Sequence, residues 1–104
     1  MMVQIHHYKQ AGKHQIVVEG VLDIFSIDAF DQALEQLEEI TSLSIDLSGL
    51  QFIDSTGIGG ILRAVYLSHE KRFAIELNGM NSEIREMFET VGVMRVMDAL
   101  RERS

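Results

Sequence analysis

Asp54, Ser55 and Thr56 stand together at the end of the apolar run Phe52-Ile53, and glycines follow at positions 57, 59 and 60. The order is acid, two hydroxyls, then small residues leading into a new apolar pattern. It reads as a turn that opens a helix, with Ser55 near the helix N-terminus. A hydroxyl there can accept from unpaired backbone N–H groups and so cap the helix. The same position suits a phosphate, because the helix dipole and free N–H groups favour negative charge. Ser55 is therefore a helix cap or a switchable phosphoacceptor.

Other chemistries fit this stretch less well. A serine-hydrolase elbow needs glycine two residues before and two after the nucleophile. Gly57 meets the second condition, but Ile53 occupies the first position, and none of the four histidines (His6, His7, His14, His69) is marked as a base by its spacing. We expect no catalysis and no catalytic residue. Gly57-Ile58-Gly59-Gly60 is glycine-rich but lacks the Gly-Lys-Ser/Thr ending of a phosphate-binding loop and the full dinucleotide fingerprint. A tight turn with close helix packing explains it more simply, and no cofactor is expected. Adjacent His6 and His7 point to opposite faces of a strand, so they make a poor metal pair and read as surface residues. Asp23, Asp46 and Asp54 read as exposed loop acids rather than a divalent-ion site. No metal is expected.

The elements that hold these residues follow from periodicity. The chain has 104 residues, 46% hydrophobic and 24% charged, and no cysteine or proline. That composition suits one globular domain over residues 1–104, without disulfides or thiolate metal sites. No apolar run reaches the ~20 residues that span a bilayer. Met1 to Tyr8 lacks an apolar signal-peptide core, so a cytoplasmic location is expected. The net charge is −7, which argues against direct binding to nucleic acid or to an anionic membrane. No Lys or Arg lies between His14 and Leu62, whereas nine acids do: Glu19, Asp23, Asp28, Asp31, Glu35, Glu38, Glu39, Asp46 and Asp54. They form a solvated acidic face or a docking face for a basic partner.

Strands are expected near Val3–Tyr8, over the β-branched run in Gln15–Glu19, at Leu43–Leu47 and at Phe73–Leu77. Helical stripes are expected over 26–39 (capped by Ser26 or Asp28), from Ile58 to about His69, over Ile84–Val91 and over Val93–Leu100. Helical spacing places Met87 and Met97 in the core. The alternation implies an α/β sandwich with a mostly parallel sheet of four to five strands, about four helices and an antiparallel N-terminal hairpin, since the Ala11-Gly12 link is too short for a crossover. Loops at the carboxyl ends of the parallel strands then gather at one edge. Asp23 follows the second strand and Ser48–Ser55 follows the third, so the two loops are expected to meet.

At this point the residues match a family. Ile45-Asp46-Leu47 through Phe52-Ile53-Asp54-Ser55-Thr56-Gly57-Ile58-Gly59 resembles the signature of STAS domains, and within them the bacterial anti-sigma factor antagonists. Gly20-Val21-Leu22-Asp23 resembles the Gly-Glu-Leu-Asp segment after the family's second strand. Met87-Phe88-Glu89-Thr90-Val91-Gly92-Val93 resembles its late helix and turn. The likeness covers nearly the whole chain in order and spacing. It departs at Val21, where the family usually has Glu, and at Ser68–Arg72, which lacks the paired glycines that often precede the next strand.

The resemblance implies a STAS fold and a partner switch. In that family the unphosphorylated antagonist binds an anti-sigma factor that is also a serine kinase, and a sigma factor is released. The kinase then phosphorylates the serine after the motif aspartate, here Ser55, and the complex dissociates. A PP2C-type phosphatase resets it. The resemblance makes Ser55 the phosphoacceptor and Thr56 a weaker second hydroxyl. Asp23 and Asp54 become acids at the docking edge. Gly57 either lets a partner's backbone approach or serves a tight turn. The alternatives are a STAS scaffold that is never phosphorylated, such as a subunit of a transport or signalling assembly, and a nucleotide-binding module.

Overall fold

A computed structural model describes residues 2–102; the expected domain span of 1–104 reaches past these at both ends. The chain opens with a hairpin, β1 (Val3–Gln10) and β2 (Lys13–Leu22), paired antiparallel from Val3↔Gly20 to Gln10↔Lys13. Ala11 and Gly12 both take positive φ, 50° and 86°, as a two-residue hairpin turn requires. Along β2, His14, Ile16 and Val18 are buried while Gln15 is exposed, so the period of two sets one core face.

Three parallel strands complete the sheet. β3 (Ser42–Asp46) pairs with the first half of β2, and β4 (Leu50–Ile53) pairs with Gly20–Leu22. β5 (Ala74–Asn78) flanks β3. β3 and β4 therefore lie one after the other along the same edge of β2, joined through Leu47-Ser48-Gly49. Alternation persists in β3, where Leu43 and Ile45 are buried between half-exposed Ser42, Ser44 and Asp46. The sheet thus has one apolar face and one polar face.

Among the described residues four helices accompany it: α1 (Ile27–Glu35), α2 (Ser55–Lys71), α3 (Ser82–Val91) and α4 (Val93–Glu102). Phe30, Ile61, Val65, Phe88 and Val93 join Ile16, Val18, Leu22, Ile45 and Ile53 in one core. Met97 is buried in it and Met87 packs against it, as their spacing implied. No helix among the described residues is long and apolar enough to cross a membrane.

Two expectations need correction. The helix expected over 26–39 stops at Glu35; Glu39 takes a positive φ of 48°, which no helix continues through. Leu37 is buried beyond the helix end, which extended the apolar stripe past its true limit. The sequence pattern also hid β4: it has four residues, two of them exposed, and no alternation.

Candidate partner-docking site around Ser55

β2 ends at Leu22 beside Ile53, the last residue of β4. Their loops therefore leave the sheet together. The Asp54 N–H donates to the Leu22 carbonyl at 3.3 Å, and the Ile24 N–H donates to Asp54 Oδ2 at 3.4 Å. The two loops expected to meet do meet, and Asp54 is the residue that joins them.

Asp54 also settles which residue caps α2. It has the extended backbone of an N-cap, and its Oδ1 accepts the Gly57 N–H at 2.9 Å. Ser55 is the first residue of α2, exposed, and its side chain makes no hydrogen bond among the described residues. The hydroxyl has no capping duty. α2 has no acid in its first turn, so its positive end is offset only by the cap.

Asp23 shapes the other loop. Its Oδ1 accepts the backbone N–H groups of Phe25 at 3.0 Å and Ser26 at 3.1 Å, folding Asp23–Ser26 into a tight turn. Ser26 holds the N-cap position of α1 but makes no side-chain cap; its Oγ instead donates to the Val21 carbonyl at 2.8 Å. Asp28 lies inside the first turn, so neither expected cap acts as one. Val21, where the family usually has Glu, is buried at this edge.

Thr56 is half-buried and Gly57 fully buried. A Cβ on Gly57 would lie 2.3 Å from the Leu22 carbonyl oxygen and 2.6 Å from Ile53 Cγ1. Glycine is needed there for α2 to seat against β2 and β4. The protein's own backbone fills the space where a Cβ would lie, which accounts for the glycine without a partner. Because Gly57, Gly59 and Gly60 sit inside α2, they form no phosphate-cradling loop.

Sequence reasoning missed three side chains at this edge. Ile24 is 64% exposed, Phe25 92% and Phe52 52%. Ile24 and Phe25 form the tip of the Asp23 turn, and Phe52 lies on β4 opposite Val21. The available signal was an apolar pair placed in a turn, outside any strand or helix period. These large apolar side chains lie exposed at the same edge as the Ser55 hydroxyl.

The nine acids do not form a single face. Asp31 pairs with Arg63 on α2 at 2.6 Å, Glu19 lies 3.1 Å from His6, and Asp46 accepts the Ser48 N–H at 2.9 Å. That backbone bond, then the Ser48 side chain, holds the Asp46 carboxyl below its ordinary range. No group of three or more His, Asp or Glu among the described residues could hold a metal. A concavity of about 690 Å³ lies at the far end of α2, against β5 and α4, lined by Val65, Phe73, Met97 and Arg101. It is remote from Ser55.

A family model described as "Mlab, STAS domain" matches residues 6–101. The chain belongs to the STAS family. It is 28% identical over 85 residues to the anti-sigma-B factor antagonist of Listeria monocytogenes, covering 80% of this chain and 75% of that one. Among solved structures, it resembles an anti-sigma factor antagonist from Mycobacterium paratuberculosis with a TM-score of 0.78 at 21% identity, over 90% of this chain and 81% of that one. The anti-sigma factor antagonist SpoIIAA in its unphosphorylated form matches with a TM-score of 0.65 at 20% identity, over 84% and 81% of the two chains. At these identities the structural likeness is one of fold.

Proposed function

We propose that this STAS domain is an anti-sigma factor antagonist switched by phosphorylation of Ser55. The unphosphorylated chain docks a serine-kinase anti-sigma factor through the edge formed by Asp23, Ile24, Phe25, Phe52, Asp54 and Ser55, with Thr56 at its margin, and a sigma factor is released. The kinase supplies ATP and Mg²⁺, and a PP2C-type phosphatase restores the docking form. This chain acts in the cytoplasm and catalyses nothing itself. The observation that carries the reading is that Asp54 caps α2 and leaves the Ser55 hydroxyl exposed and unbonded. The Listeria relative, named for the same role, supports it.

The energetics favour a switch of binding rather than of folding. Phosphorylation adds roughly −1.5 to −2 charges at one oxygen. The exposed helix terminus offsets this by only about 0.3–1 kcal/mol. In a closed interface the dianion would be desolvated beside the Asp54 carboxylate, and both effects oppose docking. No internal hydrogen bond of Ser55 is lost, so the domain itself stays folded.

The test combines intact-mass analysis of protein from its native cells, peptide mapping across 54–63, and binding to the kinase captured with the unmodified chain. One phosphate on Ser55 is expected, with binding kept by Ser55→Ala and abolished by Ser55→Asp. Equal binding by the two variants, or a chain that no cognate kinase modifies, would instead leave a constitutive scaffold.

A further inference from the structure

Away from the docking edge, two histidines meet on the hairpin. His7 lies opposite Ile16 and His14 opposite Lys9, so His7 and His14 are diagonal neighbours on one face. His14 is 3% exposed, and its Nε2 lies 3.1 Å from the Glu38 carbonyl oxygen. A carbonyl only accepts, so His14 Nε2 carries the proton and Nδ1 keeps its lone pair. That Nδ1 lies 2.8 Å from His7 Nε2.

His7 is also held from its other side. With Nε2 turned to His14, its Nδ1 is left for the Gln36 side chain, whose hydrogen bond favours the protonated ring. Burial and the neighbouring His14 outweigh it and hold the His7 imidazole below its ordinary range. At 2.8 Å the facing nitrogens share one proton, His7 Nε2 donating to His14 Nδ1, and a cation entering between them would shift that proton to His7 Nδ1, on the side of Gln36. Metal-binding histidines are oriented in this way, by donating the remote N–H to a carbonyl or amide oxygen.

We propose that His7 Nε2 and His14 Nδ1 are the two protein ligands of a site for a borderline divalent cation, Zn²⁺ or Cu²⁺, with solvent in the remaining positions. Imidazole nitrogen suits these ions, whereas Mg²⁺ and Ca²⁺ prefer oxygen. A tetrahedral ion with Zn–N bonds of about 2.05 Å needs the nitrogens about 3.3 Å apart. The pair must therefore open by about half an ångström from its present 2.8 Å. His7 can give way, since β1 lies at the sheet edge. Lys9 shares the face and opposes a cation, but its ammonium lies 3.9 Å from the Glu38 carboxylate, which offsets it. His6 points to the other face and contacts Glu19, so it is no ligand.

The test uses the untagged full chain at neutral pH. Zn²⁺ and Cu²⁺ are titrated by calorimetry, and Zn²⁺ is followed by the imidazole signals in NMR. We expect one equivalent bound in the micromolar range, with His7 and His14 signals shifting and those of His6 and His69 fixed. His7→Gln is expected to weaken binding at least about tenfold, whereas His6→Gln leaves it unchanged. His7 is only partly buried, and circular dichroism checks that its variant folds. No binding at about 100 µM, shifts at His6 or His69 instead, or full affinity in His7→Gln would each overturn the site and leave a shared proton between the rings.

Discussion

Truncating Phe25 separates docking from folding more cleanly than any change at Ser55. Phe25 is 92% exposed at the tip of the Asp23 turn, so the folded domain gains almost nothing from its ring. Its backbone N–H, not its side chain, bonds Asp23. Phe25→Ala should therefore change unfolding stability by less than about 0.5 kcal/mol, as surface substitutions do. A partner that covers the ring recovers the full transfer term, about 1.5–3 kcal/mol for a phenylalanine. On the proposed reading, at 1.4 kcal/mol per tenfold, Kd for the proposed anti-sigma kinase should rise roughly 10- to 150-fold. Central aromatic anchors reach this range when truncated. The assay is calorimetric titration of the captured kinase with wild-type and variant chains, beside urea unfolding of each. An unchanged Kd with unchanged stability would show that the docking surface lies elsewhere, and would remove Ile24 and Phe52 from it by the same argument.

Gly57→Ala probes the seat of α2. Alanine is the better helix former by up to about 1 kcal/mol, but its Cβ would meet backbone that cannot yield. With the Leu22 oxygen only 2.3 Å away, the clash should win, and urea unfolding should show a net loss of about 1–3 kcal/mol. A gain in stability would refute the packing role. Asp46 carries a pH dependence. Its folded pKa is lowered from 3.8, so its contribution is fully present above that value and is lost as pH falls through the folded pKa. Acid unfolding of Asp46→Asn should lack this part of the slope; slopes identical to wild type would show that the Ser48 hydrogen bonds do not stabilise the charge.

Much of this architecture was legible because period and punctuation agreed. Val17 and Val18 lead to Gly20, Ile58 to Val65 keep helical spacing, and Gly92 ends α3 where the stripe ends. β4 was illegible because Leu50–Ile53 is short and paired on one edge only, so half of it faces water and no alternation marks it. The C-terminal end of α1 was illegible because Leu37 packs on the core from outside the helix, and burial alone cannot report backbone conformation. At the site, the residue types of Asp54 and Ser55 were visible, but their division of labour was not. Either can cap a helix, and only the register of the first turn decides which does. His14 was hidden for a related reason: its partner lies seven positions away across a hairpin, beyond any local motif.

That division of labour bears on how a phosphate can act here. Were Ser55 the cap, a phosphate would enter a group already bonded to α2, and modification would be coupled to the stability of the helix. Asp54 removes that coupling. Its Oδ1 satisfies Gly57 while its Oδ2 holds Ile24, so one carboxylate fixes both the helix start and the loop that carries Phe25. Ser55, one residue later, faces solvent from a helix that does not depend on its hydroxyl. A kinase can reach that oxygen without unwinding α2, and the added charge meets no internal partner it could displace. On the proposed reading, the free energy of the modification is therefore expressed where the partner sits, between Phe25, Phe52 and the new dianion, rather than dissipated within the domain.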